Sequence, residues 1–264
     1  MSRIPRLTDG FVRLGPDYRF DDQTDFQEIK DTFGFCTITV GSWVTPSEQR
    51  ISANLVYDAL ADLAQILAIP PWVIGLNGTL NFAFGAGGQK GVQAHYAPSS
   101  RTLALAKNAG AGALAHEWWH AFDHYICKKL FADTNALSFA SSLWLQTPIT
   151  NRHPINLHLD KFFKLIFLDD TGSKPSEYFL NAKSLDNQYE QFYFSRPQEL
   201  SARAFEACIS SNAKIRNDFL VSGVQNSKLA SQGGFPESTH LSLLCDTIFS
   251  YFSVLGNALH HRSD

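Results

Sequence analysis

The run Ala115-His116-Glu117-Trp118-Trp119-His120 places two imidazoles around a carboxylate. That spacing makes chemical sense on a helix, where each residue advances about 100° and two histidines four apart lie about 40° from one another on one face. Imidazoles placed this way can bind one Zn2+ at about 2.0–2.1 Å. Glu117 lies about 100° round from His116. It cannot easily share the ion, but it can reach a metal-bound water as general base. The chemistry expected is zinc-assisted hydrolysis.

Such a site needs a third protein ligand, and the neighbouring residues limit where it comes from. The short extended form of the motif requires Gly at position 123 and His or Asp at position 126; this chain has Asp123 and Ile126. His124 lies about 12 Å along the helix axis from His116, too far for three rings to meet on one tetrahedral ion. It falls on the Glu117 side and is read as facing substrate, or as an ordinary polar helix residue. Asp123, at about −20°, shares the ligand face. It is expected to orient a ligand or hold a basic residue, with a solvated helix carboxylate as the alternative.

The remaining ligand is expected to be a carboxylate on another helix. Glu199 stands in the first turn of Pro197-Gln198-Glu199-Leu200-Ser201-Ala202-Arg203-Ala204-Phe205-Glu206, with small Ala202 beside it to allow close approach. Glu206, seven residues on, is the second candidate. For both, the alternative is an ion pair with Arg203, which lies i+4 from Glu199 and i−3 from Glu206. Arg203 is therefore expected beside the ligands rather than on the metal. His95 or Tyr96, on a strand shortly before the motif, is expected at the cleft edge. Tyr193 or His124 is expected to stabilise an oxyanion; a strand histidine or tyrosine also fits a purely structural role.

The elements that must position these residues are legible in outline. Residues 1–30 lack periodicity and read as an extended arm. Residues 35–44 read as a strand. Thr45-Pro46-Ser47-Glu48 is a capping box with Pro at the first helical position, opening an amphipathic helix that stops before Pro70-Pro71. Residues 72–84 alternate enough for one or two strands. Gly85-Ala86-Gly87-Gly88 breaks them and lacks the spacing of a phosphate loop. Two strands follow, at 94–96 and 101–107, joined by a turn at 98–100. Residues 109–130 form the best helix, which carries the motif. Residues 134–190 are mixed, with polar loops near 151–154 and 169–175. A helix starts near Arg196, with Ser195 as cap, Pro197 in its first turn and Gln198 completing the box. Gly233-Gly234-Phe235-Pro236 is a turn, and 239–259 is an apolar helix. The reading is α+β: an N-terminal arm (1–30), then one domain (31–264) with a small mixed sheet and the motif helix to about 131 and a mainly helical lobe beyond.

The 264 residues suffice for one substantial core, and 44% hydrophobic with 18% charged excludes a disordered chain. A net charge of −3 removes the basic surface usual for nucleic-acid binding, so a nucleic-acid partner is not expected. Cys36, Cys127, Cys208 and Cys245 show no CxxC pairing, and reduced thiols in a cytoplasmic protein are expected. The N-terminus has no apolar signal region. No apolar run is read as reaching the ~18 residues of a membrane span.

Several motifs together resemble a known family. They are Phe33-Gly34-Phe35, Gly41-Ser42-Trp43-Val44, Leu76-Asn77-Gly78-Thr79-Leu80, Ala83-Phe84-Gly85, Ala94-His95-Tyr96, the His116 run from Ala113 to Asp123, and the Glu199 run from Arg196 to Glu206. Over about residues 30–250 the chain resembles the first of the large polyvalent protein-associated domains of phage and conjugative-element proteins, and the stand-alone CLCA_X family proteins. The resemblance implies a zincin-like fold without an established substrate. The family's motif usually has Gly where Trp119 stands, and the indole is expected to narrow the cleft or pack on the sheet. Glu199-Leu200-Ser201-Ala202-Arg203-Ala204-Phe205 is also similar to the E-x-x-A-x-x-F pattern of metallopeptidases that cut phage repressors, in which the first Glu binds zinc.

The function expected is a gluzincin-type zinc metallopeptidase acting on a protein or peptide. The alternative is a non-catalytic zinc-binding interaction domain serving mobile-element or host complexes.

Overall fold

The computed structural model describes residues 10–86, 94–107, 112–224 and 226–260. In chain order the elements are β1 (Arg13–Leu14), α1 (Phe26–Phe33), β2 (Ile38–Val40), α2 (Pro46–Leu67), a 3-10 turn (Pro71–Gly75), β3 (Asn81–Phe84), β4 (Ala94–Ala97), β5 (Thr102–Leu105), α3 (Leu114–Leu130), α4 (Ala140–Trp144), α5 (Asn156–Phe167), α6 (Glu177–Gln188), α7 (Pro197–Ser210), β6 (Arg216–Asn217), α8 (Lys228–Ser231) and α9 (Ser238–His260). The class is α+β. The chain divides into two compact units, Met1–Ala121 with Asn212–Ser222, and Phe122–Ser211 with Gly223–Asp264.

The first unit holds a four-stranded sheet in the order β2-β3-β5-β4. β2, β3 and β5 run parallel, and β4 lies antiparallel to β5 at one edge. The expected turn at 98–100 makes the β4–β5 hairpin, and His95 pairs with Ala104 and Tyr96 with Leu103. Phe82, Phe84, Leu103 and Leu105 are buried. The capping box forms as the sequence implies. Glu48 N–H donates to Thr45 Oγ1 at 3.4 Å, and Thr45 N–H donates to Glu48 Oε2 at 2.9 Å.

Three sequence expectations need correction in this unit. Residues 72–75 are helical rather than extended, because Pro70-Pro71 fixes φ at a helical start and Pro71 sits in the first turn. The strand expected over 35–44 shortens to Ile38–Val40, because the chain turns at Gly41, whose carbonyl accepts Val44 N–H at 3.0 Å. The N-terminal arm contains structure of its own. Asp25 caps α1 by accepting Glu28 N–H, and Gly34, at φ 67, ends that helix. The arm is held by charge. Arg13 donates to both oxygens of fully buried Asp62 at 2.8 and 2.9 Å, and Arg19 donates to Asp58 at 2.9 and 3.0 Å. Gly87 and Gly88, and the expected helix start at 109–111, lie outside the described residues.

The second unit is helical. The stretch 134–190, expected to be mixed, contains α4, α5 and α6, separated by loops near the two expected positions. α9 packs on α5 and α7. Aromatic rings fill the core: Trp144 stacks on Phe167 at 5.8 Å, Phe122 meets Phe252 at 5.1 Å, and Phe205 meets Phe252 at 6.4 Å. By length and composition alone α9 could cross a membrane, contrary to the sequence reading that no run reached that length. Its apolarity has a local use here: Leu244, Ile248, Tyr251 and Phe252 are buried in the unit, while Ser242, Asp246, Ser253 and Asn257 are exposed.

Candidate metal centre

α3 opens on a tight approach. Gly112 adopts φ +84, and a Cβ there would lie 1.8 Å from Ser222 Oγ. Without one, the segment 219–222 hydrogen-bonds to the helix start: Gly112 N–H to Phe219 carbonyl at 2.8 Å, Ala115 N–H to Leu220 carbonyl at 3.1 Å, and Ser222 N–H back to Gly112 carbonyl at 3.1 Å. Donors that a helix N-terminus leaves open are thereby satisfied. Trp118 is fully buried and its Nε1–H donates to Ile74 carbonyl at 3.0 Å. Trp119 is also fully buried, so its indole is a core group and presents no surface to solvent.

This framing fixes the histidine face. His120 is 8% exposed and His116 is half-buried. Their rings meet edge to face at 77°, with Nε2 to Nε2 at 3.1 Å. Donors about 2.0–2.1 Å from one tetrahedral ion stand about 3.3 Å apart, so the two nitrogens already have a ligand-pair spacing. Without an ion, one ring nitrogen donates to the other, and the tautomers decide which.

Glu199 completes the group. His116, His120 and Glu199 each offer one ligand atom, and these atoms lie within 4.8 Å of one another. Two imidazole nitrogens and one carboxylate oxygen suit a divalent transition metal. The residues fit an ion. Glu206 is seven residues beyond Glu199 on α7, about 10 Å along the axis, so the two carboxylates do not share one ion. It is 8% exposed.

The other expected residues have defined surroundings. Asp123 is neither solvated nor paired with a basic residue. It is fully buried and accepts Ser141 N–H at 2.8 Å and Ser141 Oγ–H at 2.5 Å, which fastens α3 to the start of α4. Burial pushes its carboxyl up to about 7 against the opposing pull of those hydrogen bonds. The Nε2 of His124 contacts Ala136 carbonyl at 2.9 Å. A carbonyl only accepts, so Nε2 carries the proton there. Arg203 is 3% exposed and donates from Nε to Gly234 carbonyl at 2.9 Å and from Nη2 to Phe194 carbonyl. No Arg203–carboxylate ion pair occurs among the described residues. His95 and Tyr96 lie half-buried on the edge strand β4, and burial raises the Tyr96 phenol above its usual range.

Ser195 does not cap α7. Its hydroxyl donates to Asp186, and Arg196 occupies the cap position without a side-chain bond. Asp186, which sequence reasoning passed over, organises the entrance to this helix. Its carboxylate accepts the N–H groups of Tyr193 (2.8 Å), Phe194 (2.6 Å) and Ser195 (3.0 Å). Burial would raise its pKa, but the donors from Ser195, Tyr193 and Phe194 outweigh that and lower it. With Arg203 on the Phe194 carbonyl, the turn leading to Glu199 is held from both sides. An aspartate seven to nine residues before the turn gives no local sequence signal. Tyr193 projects from that turn, 39% exposed.

No curated protein and no solved structure matches the chain. Residues 185–259 match the family model described as large polyvalent protein-associated domain 1, a segment that includes Asp186, Glu199 and Arg203 but neither His116 nor His120.

Proposed function

We propose that this chain is a zinc-dependent peptidase of the gluzincin type with a zincin-like fold, acting on a protein or peptide. The observation that carries the reading is the convergence of His116, His120 and Glu199, with Glu117 in the same helical turn as the first histidine. When bound, zinc would supply Lewis-acid polarisation of the scissile carbonyl and make a water nucleophilic near neutral pH. Glu117 accepts the attacking water's proton on a carboxylate oxygen and returns it to the leaving amide nitrogen. The Tyr193 hydroxyl donates to the developing oxyanion, and His95 lines the substrate approach on the edge strand. Asp123, His124 and Arg203 act as supports, through the contacts described above.

A second reading is a metal-binding interaction domain linked to phage or conjugative-element biology. One observation favours it: the matched description names an association and no reaction. The experiment that separates the two is metal analysis of the purified protein with a proteolysis screen of wild type and Glu117→Gln. The peptidase reading expects one zinc per chain in both, with hydrolysis lost in the variant by about 10²–10⁴-fold. Equal cleavage by both proteins would remove Glu117 as the base. Zinc in both without cleavage of any substrate tried, together with full biological function of the variant, would favour the interaction domain.

A further inference from the structure

α7 and α9 pack against one another in the helical unit, and two of the four cysteines lie on this seam. The register follows from two contacts. Phe205 meets Phe252 at 6.4 Å, and Ser211 Oγ meets Cys245 Sγ at 3.4 Å, so the helices run antiparallel and Cys245 faces the last turn of α7. Cys208 lies one turn before Ser211, and Ser211 Oγ–H also reaches the Cys208 carbonyl at 2.8 Å. Ser211 Oγ therefore touches both residues, the Cys208 carbonyl and the Cys245 sulfur.

We propose that Cys245 and Cys208 form a dithiol oxidation site, in which a hydroperoxide oxidises Cys245 and Cys208 resolves it as a disulfide joining α9 to α7. The two thiols differ in exposure and in the direction of their pKa. Cys245 is half-buried, so a small oxidant reaches it, whereas Cys208 is fully buried. Contacts with Cys208 and Ser211 lower the Cys245 thiol against the upward effect of burial, and burial raises that of Cys208. In the first step the Cys245 thiolate sulfur attacks one peroxide oxygen, the O–O bond breaks, and an alcohol (or water) leaves with the thiol proton. Cys245 is then a sulfenic acid. In the second step the Cys208 sulfur attacks the Cys245 sulfur, the S–O bond breaks, and hydroxide leaves as water with the Cys208 proton. Two thiols are oxidised and one peroxide is reduced. Cys127 is excluded as a competitor, since it is buried and its thiol is pushed up to about 12.

The test uses the full chain carrying Cys36→Ser, which removes the exposed thiol. The protein is treated with hydrogen peroxide and its peptides are mapped without reductant. The peptides bearing Cys208 and Cys245 are expected to appear joined and to separate on reduction. Adding Cys208→Ser should strand Cys245 as a sulfenic acid that dimedone captures, and adding Cys245→Ser should leave Cys208 unreacted. The proposal is overturned if Cys245 proceeds to sulfinic acid while Cys208 stays a thiol. It is equally overturned if both stay thiols at peroxide levels that oxidise Cys36 in the wild type. This readout needs neither metal nor turnover, so its failure is distinct from failure of the peptidase reading.

Discussion

The regions around α3 and α7 each contain an aspartate that accepts backbone N–H groups, and the two carboxylates end in opposite electrostatic states. Asp123, at the junction of α3 with α4, is fully buried with Ser141 as its main donor, and burial holds it up to about 7. Asp186, ahead of α7, takes three backbone N–H groups and the Ser195 hydroxyl, and its pKa falls below the usual range. Burial and donors act together: Asp123 is fully enclosed and its bonds from Ser141 and Ala140 do not replace the lost water, whereas Asp186 keeps some exposure and takes four converging donors. The candidate ligands also stand in different settings. His116 and His120 sit inside a helix framed by buried tryptophans, while Glu199 sits in a first turn whose position depends on the loop before it.

The largest expected effect breaks the metal group itself. His120→Ala should lose bound zinc by more than the ~10–100-fold seen when only an outer partner of a ligand is removed. Metal analysis after dialysis checks this, and retention of one zinc per chain would transfer the site elsewhere. Next comes Asp186→Ala, which leaves three backbone donors without their acceptor. It should cost about 1–3 kcal/mol or more of stability by denaturant titration, and lower zinc affinity by about 10-fold through Glu199. A stability loss with unchanged affinity would confine Asp186 to a folding role.

The third prediction concerns pH and opposes the two aspartates. The folded pKa of Asp123 is raised, so between about pH 4 and 7 the folded state binds the extra proton and this group makes stability fall as pH rises. Asp123→Asn should flatten that fall. Asp186 acts in the other direction: its contribution is present above the unfolded value of about 3.9 and is lost as pH drops through its lowered folded value. Asp186→Asn should therefore weaken the acid-side decline. Thermal melts across pH 3–8 would show both, and parallel curves for the two variants would void the comparison. The smallest effect expected is that of Ser195→Ala, about 1 kcal/mol, because the three backbone bonds to Asp186 remain.

How much of this was legible follows the range of the interactions. The capping box at Thr45, the turn at 98–100 and the motif helix are local, and each formed where its residues stood. The helices of 134–190 were missed because polar loops interrupt them and their apolar faces complete themselves against distant elements, α5 against α9 and α4 against α7. Ser195 matched a capping pattern, but Asp186 offered its hydroxyl a charged acceptor, and the longer-range bond won. Asp123 was expected on the ligand face or in solvent; it is fully buried on Ser141, eighteen residues away, which no local pattern marked as its partner. Glu199 was reachable because its helix start, its small neighbour and its motif agreed.

The segment Asn212–Ser222 has a consequence for the order in which the chain can fold. β1 pairs with β6 across some two hundred residues, Asn217 Nδ2–H donates to buried Asp62 at 2.8 Å, and 219–222 secure the start of α3. Most of the sheet-bearing unit leaves the ribosome by residue 121, yet its last strand and the strap on its His116 helix arrive about a hundred residues later. At about 5–20 residues per second, that is a wait on the order of ten seconds. Through that interval Asp62 lacks one of its partners and the His116 helix lacks its N-terminal anchor. A nascent chain stalled near residue 211 should therefore show local opening around Gly112 and Asp62, and protection there should rise only when residues 216–222 emerge.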